Sequence, residues 1–197
     1  DLKFMKTIIS EDTNSQKESI KLSKGLGLVF KMITELPQIT ISAVEGPAMA
    51  GAFGIVCSSD LVLSMSSARF AMTETRLGLS PAQIAPYVID RLGFSNARKL
   101  ILLGFSIDGN QAYDMGLTDY LSTTKEEFNE TLNSIKRQVN QCAPHALTLT
   151  KNIIRPRNEI DIDLSAKIFA DCIESEEGKE GIKSFFEKKK PYWAVRS

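Results

Sequence analysis

A β-branched segment followed closely by a run of small residues is the feature that most constrains how this chain can fold. Residues 39–44 are mostly β-branched and lie between Pro37 and Gly46, which predicts a strand. Small residues dominate positions 46–54, and a second apolar segment follows at 60–63. A strand, a small-residue turn, a short helix and another strand make a βαβ unit with a right-handed crossover. The sequence therefore predicts an α/β fold with parallel strands.

Helical periodicity dominates the rest of the chain. Apolar residues keep helical spacing over 20–36, before the first predicted strand. After the predicted βαβ unit, the expected helices cover residues 82–92, 95–103, 109–115, 126–142, 146–154, 161–174 and 179–189. We accordingly divide the chain into a mixed α/β core, residues 1–120, and a helical C-terminal region, residues 121–197.

Charge and cysteine content exclude several classes of protein. The 24 Lys and Arg residues balance 24 Asp and Glu residues, so no overall charge attracts nucleic acid or anionic lipid. One His and three scattered Cys residues provide no spacing typical of a metal site. Unclustered thiols suit a reducing compartment, and no apolar run is long enough to span a membrane. We expect a cytoplasmic protein with no metal, nucleic-acid or membrane partner.

Two features of the α/β part could carry chemistry. The turn at 46–54 leaves backbone N–H groups free at a helix start, where they could hold an oxygen that becomes anionic. Tight packing between strand and helix is the alternative explanation of its small residues. Glu74 lies among apolar residues, and burial would raise its pKa toward neutrality. The alternative is a surface glutamate paired with Arg76.

The combination of these features resembles the enoyl-CoA hydratase/isomerase (crotonase) superfamily. The residues that carry the resemblance are Gly51, Asp60, Glu74, Gly78 and Pro81, with segments 37–46, 68–70, 74–78, 91–93, 97–100, 103–104, 112–117, 180–188 and 191–193. Residues 51–54 and 74–88 are most similar to bacterial hydratases of branched glutaconyl-CoA esters. The resemblance implies a spiral of ββα units with a helical C-terminal region that trimerises, often as part of a hexamer.

The resemblance also implies roles for individual residues. Gly51 would be one of two backbone donors to the thioester oxygen of an acyl-CoA substrate, and Glu74 would be the acid/base. The second donor would lie upstream of Asp1-Leu2. Gly54 stands where family hydratases have another glutamate, so this chain departs from the two-carboxylate pattern.

Other positions would contact the substrate. Ala82 matches the place whose backbone N–H faces the catalytic water, and Ala50 precedes Gly51 in the same turn. Lys183 and Lys188 match basic side chains that bind CoA phosphates. Coenzyme A would be part of the substrate, so no separate cofactor is expected.

Three functions are compatible with Gly54. A single carboxylate can move a proton between two carbons, which favours an isomerase. The resemblance of residues 51–54 and 74–88 favours instead a hydratase of a branched or carboxylated ester. A glutamate in place of Gly54 would repel the carboxylate of such a substrate, whereas glycine leaves room. A non-catalytic acyl-CoA-binding subunit is the third. We prefer the hydratase, a lyase that adds water syn across the α,β double bond.

The start of the chain also carries an expectation. By resemblance, the family's N-terminal strands and one oxyanion donor would precede residue 1. We therefore expect these 197 residues to belong to a longer polypeptide and to be inactive alone.

Overall fold

Two three-stranded sheets organise the computed structural model, which describes residues 15–155 and 161–195. Sheet A contains β1 (Ile41–Val44), β3 (Leu61–Met65) and β6 (Tyr120–Ser122), all parallel and in the order β1-β3-β6. Sheet B contains β2 (Pro47–Met49), β4 (Arg69–Ala71) and β5 (Ser106–Asp108), in the order β2-β4-β5, with β5 antiparallel to β4.

Successive strands alternate between the two sheets. The chain passes through β1 in sheet A, β2 in sheet B and then helix α2 (Gly51–Ser58), and β3 and β4 repeat the two strand positions. The predicted parallel pairing of the segments at 41–44 and 61–64 is confirmed. The prediction that 46–49 belongs to a turn is wrong, because Pro47–Met49 pairs with β4. The unit is therefore ββα.

Eight helices lie in the described parts of the chain. They are α1 (Ser15–Glu35), α2 (Gly51–Ser58), α3 (Ala85–Leu103), α4 (Gly109–Asp114), α5 (Lys125–Asn140), α6 (Pro144–Ile153), α7 (Ile162–Glu174) and α8 (Glu176–Phe186). The helices predicted at 82–92 and 95–103 form one element that is kinked at Gly93, where φ is 68° and ψ is 161°. The short strand β6, Tyr120–Ser122, lies across the boundary at 120 between the predicted α/β core and the C-terminal region.

Two apolar clusters hold these layers together. The larger one lies around α1, α2, α3 and sheet B and includes Phe30, Phe53, Phe70, Met72 and Val88, all inaccessible to solvent. In the smaller cluster, Phe128 and Ile135 of α5 pack on Leu63 of sheet A. Since α5 covers sheet A, the first C-terminal helix is joined to the α/β part through its own core.

A buried ion pair connects α6 to the same part of the chain. Lys151 is only 4% exposed, and its Nζ lies 2.6 Å from Asp60 Oδ2 and 2.9 Å from the carbonyl oxygen of Gln38. Asp60 Oδ2 also accepts hydrogen bonds from the backbone N–H and the hydroxyl of Thr40, at 2.6 and 2.8 Å. Asp60 follows α2, and Thr40 precedes β1, so this network fixes both ends of the first ββα unit.

The thiols differ in their surroundings. Cys57 is buried, and desolvation raises its pKa to about 12, which keeps the thiol neutral and apolar in character. Cys142 is exposed and Cys172 is partly exposed.

Over the residues described, no helix is long and apolar enough to cross a membrane.

Candidate active site

The register of sheet B brings the segments that contain Gly51 and Glu74 to the same end of the sheet. Met49 at the end of β2 pairs with Ala71 at the end of β4, and the Ala50 N–H donates to the Ala71 carbonyl over 3.0 Å. These strands are parallel, so their carboxyl ends lie side by side, about 5 Å apart. Gly51 and Glu74 follow those ends by two and three residues. The two segments, 23 positions apart in sequence, thus leave the sheet at the same end.

Helix α2 begins at Gly51, and this start presents unpaired donors. The first N–H groups of a helix have no intrahelical acceptor, and Gly54 is the first residue of the turn whose N–H bonds back, to Ala50 O over 3.1 Å. In the described part of the chain, no acceptor faces the Gly51 N–H. A donor fixed in this way can hold an oxygen that gains negative charge.

The residue before this helix adopts a strained backbone. Ala50 has φ 50° and ψ −117°, a region that residues with a side chain rarely occupy. Its N–H is bonded to β4 and its carbonyl to the Gly54 N–H, so both ends of the residue are fixed. This conformation turns the chain sharply from β2 into α2 and orients the Gly51 N–H.

A short 3₁₀ turn, Glu74–Leu77, positions the candidate acid/base. Thr75 Oγ1 donates to the Ile101 carbonyl over 3.3 Å, and Arg76 Nε donates to the Leu103 carbonyl over 3.2 Å. Both acceptors lie in the last turn of α3. Gly78 ends the 3₁₀ turn with φ 73°. The turn is therefore anchored to a long helix on one side and to β4 on the other.

The Glu74 carboxylate is desolvated and unpaired. The residue as a whole is half-buried, but both carboxylate oxygens are inaccessible to solvent and have no hydrogen-bond partner in the described chain. Burial raises the pKa of this carboxyl, and the Glu74 backbone N–H offsets part of that rise. A carboxyl whose pKa is raised in this way is suited to accept a proton and return it.

Arg76 is not the partner of Glu74. Its guanidinium is exposed and directed to the end of α3 through the Leu103 carbonyl. The alternative interpretation of Glu74, a surface carboxylate neutralised by Arg76, is therefore wrong.

We expect the raised pKa of Glu74 to be visible in the stability of the folded protein. Because the native state binds the Glu74 proton more tightly than the unfolded state, Glu74 contributes most favourably below pH 4.5, its ordinary pKa. That contribution is lost as the pH rises through the raised, folded-state pKa. Urea unfolding of wild type and Glu74→Gln between pH 4 and 8 measures it: wild type should lose free energy of unfolding relative to the variant as pH increases. A constant difference would contradict the desolvated carboxylate.

Gly54 faces a ring rather than open space. A Cβ atom placed on Gly54 would lie 2.5 Å from Cζ and 2.7 Å from Cε1 of Phe30, on α1. Phe30 is fully buried, so the ring cannot give way cheaply. The Phe30 ring therefore occupies the space that was predicted beside Gly54.

The remaining candidate residues lie in other parts of the chain. Ala82 is exposed in the turn at 81–84 that joins the Glu74 segment to α3. Lys183 and Lys188 are exposed on or just after α8, which packs on α6 and α7. The predicted donor upstream of Asp1-Leu2, like that pair itself, lies outside the described residues.

An apolar cavity of about 270 Å³ lies elsewhere, between α6, α7 and α8. Its lining includes His145, Cys172 and Trp193 but neither Gly51 nor Glu74. The candidate site is identified instead by the free helix start at Gly51 and the desolvated Glu74 carboxylate.

Comparisons with known proteins indicate one family and one fold. The family model described as enoyl-CoA hydratase/isomerase matches residues 6–196. A solved enoyl-CoA hydratase/isomerase from Marinobacter aquaeolei superposes with a TM-score of 0.92 at 34% identity, covering 98% of this chain and 76% of that one.

Two curated relatives have different printed activities. A short-chain-enoyl-CoA hydratase of Clostridium acetobutylicum is 30% identical over 82% of this chain and 64% of its own length. A methylmalonyl-CoA decarboxylase of Escherichia coli is 26% identical over 93% of this chain and 72% of its own. This chain thus spans between 64% and 76% of the length of these three proteins.

Proposed function

Because this chain belongs to the enoyl-CoA hydratase/isomerase family and has its crotonase-like α/β fold, we propose that it adds water across the α,β double bond of an enoyl-CoA thioester. The family consists of enzymes, and relatives with hydratase names cover most of the chain. The observation that carries the proposal is the pairing of a desolvated Glu74 carboxylate with the free helix start at Gly51, on adjacent strand ends.

Each residue has a defined part in the proposed reaction. The Gly51 N–H donates to the thioester oxygen and stabilises the enolate that develops as water adds to Cβ. Glu74 takes the proton from that water as the new C–O bond forms. The same carboxyl then returns the proton to Cα, so one carboxylate completes the syn addition. Ala82 leaves space for the water.

The direct test follows the conjugated thioester. Crotonyl-CoA mixed with the full-length protein should lose its conjugated-thioester absorbance, and the product should be heavier by one water. A substrate that is branched and carries a second carboxylate, such as a methylglutaconyl- or isohexenylglutaconyl-type CoA ester, should react with a higher kcat/KM. That preference is supported by residues 51–54 and 74–88 and by the uncharged residue at Gly54. Equal turnover of both esters would leave the hydratase intact and remove the substrate preference.

A second candidate is an enoyl-CoA isomerase. The structure favours it in one respect, because Phe30 fills the space beside Gly54 and Glu74 is left as the lone carboxylate identified at the site. An isomerase would convert a 3-enoyl-CoA to the 2-enoyl isomer with no change in mass. Tight binding of acyl-CoA esters without any turnover would instead indicate a non-catalytic acyl-CoA-binding subunit.

We further propose that Lys183 and Lys188 contact the phosphates of the CoA moiety. Coenzyme A is then part of the substrate, and the proposed reaction needs no separate cofactor. Both ammonium groups are exposed near the end of α8, where cations also complement the helix dipole.

The C-terminal helices supply the surface for the proposed homotrimer or hexamer. Ile162 and Phe169 of α7 and Phe185 and Phe186 of α8 are between 67% and 86% exposed. Large apolar side chains exposed to this extent are typical of subunit contacts.

We expect Phe169→Glu to dissociate this assembly, because a charge would be buried in an apolar contact. Light scattering after size exclusion should give about three or six times the 21.8 kDa chain mass for wild type and a smaller mass for the variant. Lys167→Glu, an exposed position on the same helix, is the control. A monomeric wild type would exclude the homotrimer.

A further inference from the structure

We propose that Phe30 sets the size of the acyl group that the site accepts. This inference rests on the proposed function, because it concerns the acyl-CoA that binds at Gly51. The acyl group lies beside the start of α2, and α1 packs against that helix. Phe30 would thus be a specificity-determining residue supplied by an element remote in sequence from Glu74.

Two matched pairs of residues define the contact between α1 and α2. Leu26 and Phe30 are four residues apart and lie on one face of α1, while Gly51 and Gly54 are three apart on one face of α2. A Cβ atom on Gly51 would lie 3.6 Å from Leu26 Cδ1, and one on Gly54 would lie 2.5 Å from Phe30 Cζ. The face of α1 that carries Leu26 and Phe30 therefore runs along α2 from the oxyanion donor inward.

The Phe30 ring is held in place from several directions. It is inaccessible to solvent, and the Tyr87 ring on α3 meets it edge to face with centroids 5.5 Å apart. One turn earlier, Gly27 lies so close to Gln83 that a Cβ atom there would be 2.9 Å from Gln83 Cδ. Gln83 Nε2 also lies 3.3 Å from Ser23 Oγ. Because α1 is docked on the segment after Glu74, the ring cannot swing aside without moving the helix.

This geometry restricts what can fit beside Gly51. An acyl chain whose thioester oxygen is bound by the Gly51 N–H starts at the N-terminus of α2, next to Leu26. Because the Phe30 ring is inaccessible to solvent and packs against Gly54, it closes off the space behind the first turn of α2, and a smaller side chain would open that space to the acyl substituents. Each methylene that a hydrophobic pocket accepts or rejects changes kcat/KM roughly 10- to 200-fold. Shortening Phe30 should therefore shift the preference toward bulkier esters.

The test compares chain-length profiles of variants. Wild type, Phe30→Leu and Phe30→Ala are assayed with crotonyl-, 2-hexenoyl- and 2-decenoyl-CoA, and the ratio of kcat/KM for decenoyl- to crotonyl-CoA is the readout. We expect this ratio to rise at least about tenfold in Phe30→Ala and by less in Phe30→Leu. Phe128→Leu is the matched control, since Phe128 is equally buried but lies in the α5 cluster against sheet A. Its ratio should equal that of wild type.

Gly54 supplies an independent check of the contact. Gly54→Ala should force α1 and α2 apart at this contact, because the ring cannot swing aside, and should lower kcat/KM for all three esters. Adding Phe30→Leu to Gly54→Ala should restore most of that loss, because the smaller side chain accommodates the new methyl group. Such non-additivity is expected only of residues in direct contact.

The outcomes separate this inference from the proposed function. If wild type hydrates enoyl-CoA esters but the ratio is unchanged in Phe30→Ala and Phe30→Leu, or changes equally in Phe128→Leu, the assignment of Phe30 is overturned and the function stands. If no ester is hydrated, the proposed function fails. Calorimetric binding of butyryl- and decanoyl-CoA then tests Phe30, with the ratio of the two affinities in each variant as the readout. Failure of either ester to bind wild type would overturn the inference too.

Discussion

Replacing Glu74 with Gln is expected to lower kcat for enoyl-CoA hydration by about 10³-fold, since a positioned general acid/base contributes roughly 10² to 10⁴. Gln has nearly the shape of Glu but cannot take a proton from water or deliver one to Cα. The Glu74 oxygens have no hydrogen-bond partner in the described chain, so the amide breaks no existing contact. The KM should change little, because the Gly51 donor and the α1 face are unaltered. Stopped-flow or steady-state absorbance of crotonyl-CoA measures both constants.

The raised pKa of Glu74 adds a signature that a structural role would not give. Its general-base step needs the ionised form, so kcat/KM of wild type should fall as the pH drops through the raised pKa, at a higher pH than for an ordinary glutamate. Glu126→Gln, an exposed change on α5, should keep the wild-type rate and profile. If Glu74→Gln retained more than a tenth of the wild-type kcat, Glu74 would not be the acid/base.

Replacing Lys151 with Ala is expected to destabilise the fold by about 3 kcal/mol, the lower end of the usual effect of removing one member of a buried ion pair, because the remaining Asp60 side chain is 23% exposed. Lys151 is 4% exposed and its Nζ is 2.6 Å from Asp60 Oδ2. Without the ammonium group, the Asp60 carboxylate keeps only its hydrogen bonds from Thr40, and the Gln38 carbonyl loses a donor. The midpoint and slope of urea unfolding, followed by circular dichroism, give the change in free energy.

An exposed ion pair in the same chain provides the matched control. Lys125 is paired with Glu45, and both side chains are 52% exposed. Because water solvates either partner after its loss, Lys125→Ala should cost no more than about 1 kcal/mol. Equal effects of the two substitutions would mean that the Lys151–Asp60 pair is not a buried connection between α6 and the first ββα unit.

Local signals in the sequence were sufficient to predict most helices and the first parallel pair of strands. The β-branched segment before Pro47 and the apolar segment after Asp60 do pair in parallel, in the register Ile41 with Leu61. The strands β2, β4, β5 and β6 escaped detection because each has only three residues, too few for a period of two to be recognised. They are strands because of the neighbours with which they pair.

The candidate site also combines features that depend on local sequence with features that depend on contacts between distant segments. The helix start at Gly51 and the apolar surroundings of Glu74 are local features, and both were identified from sequence. Phe30 was missed, although its spacing of four from Leu26 would have placed both side chains on one face of α1. Nothing in the sequence indicated that this face would lie on Gly54.

By itself, the sequence determined which chemical groups this protein can use: a small-residue helix start, one carboxylate in an apolar setting and no paired glutamate at Gly54. The tertiary structure alone decided that sheet B sets the Gly51 and Glu74 segments side by side, that Arg76 turns to Leu103 instead of Glu74, and that Phe30 fills the space at Gly54. Desolvation and steric exclusion are properties of contacts between distant segments. Hydrogen-bonding capacity and helix initiation, in contrast, depend on residues adjacent along the chain.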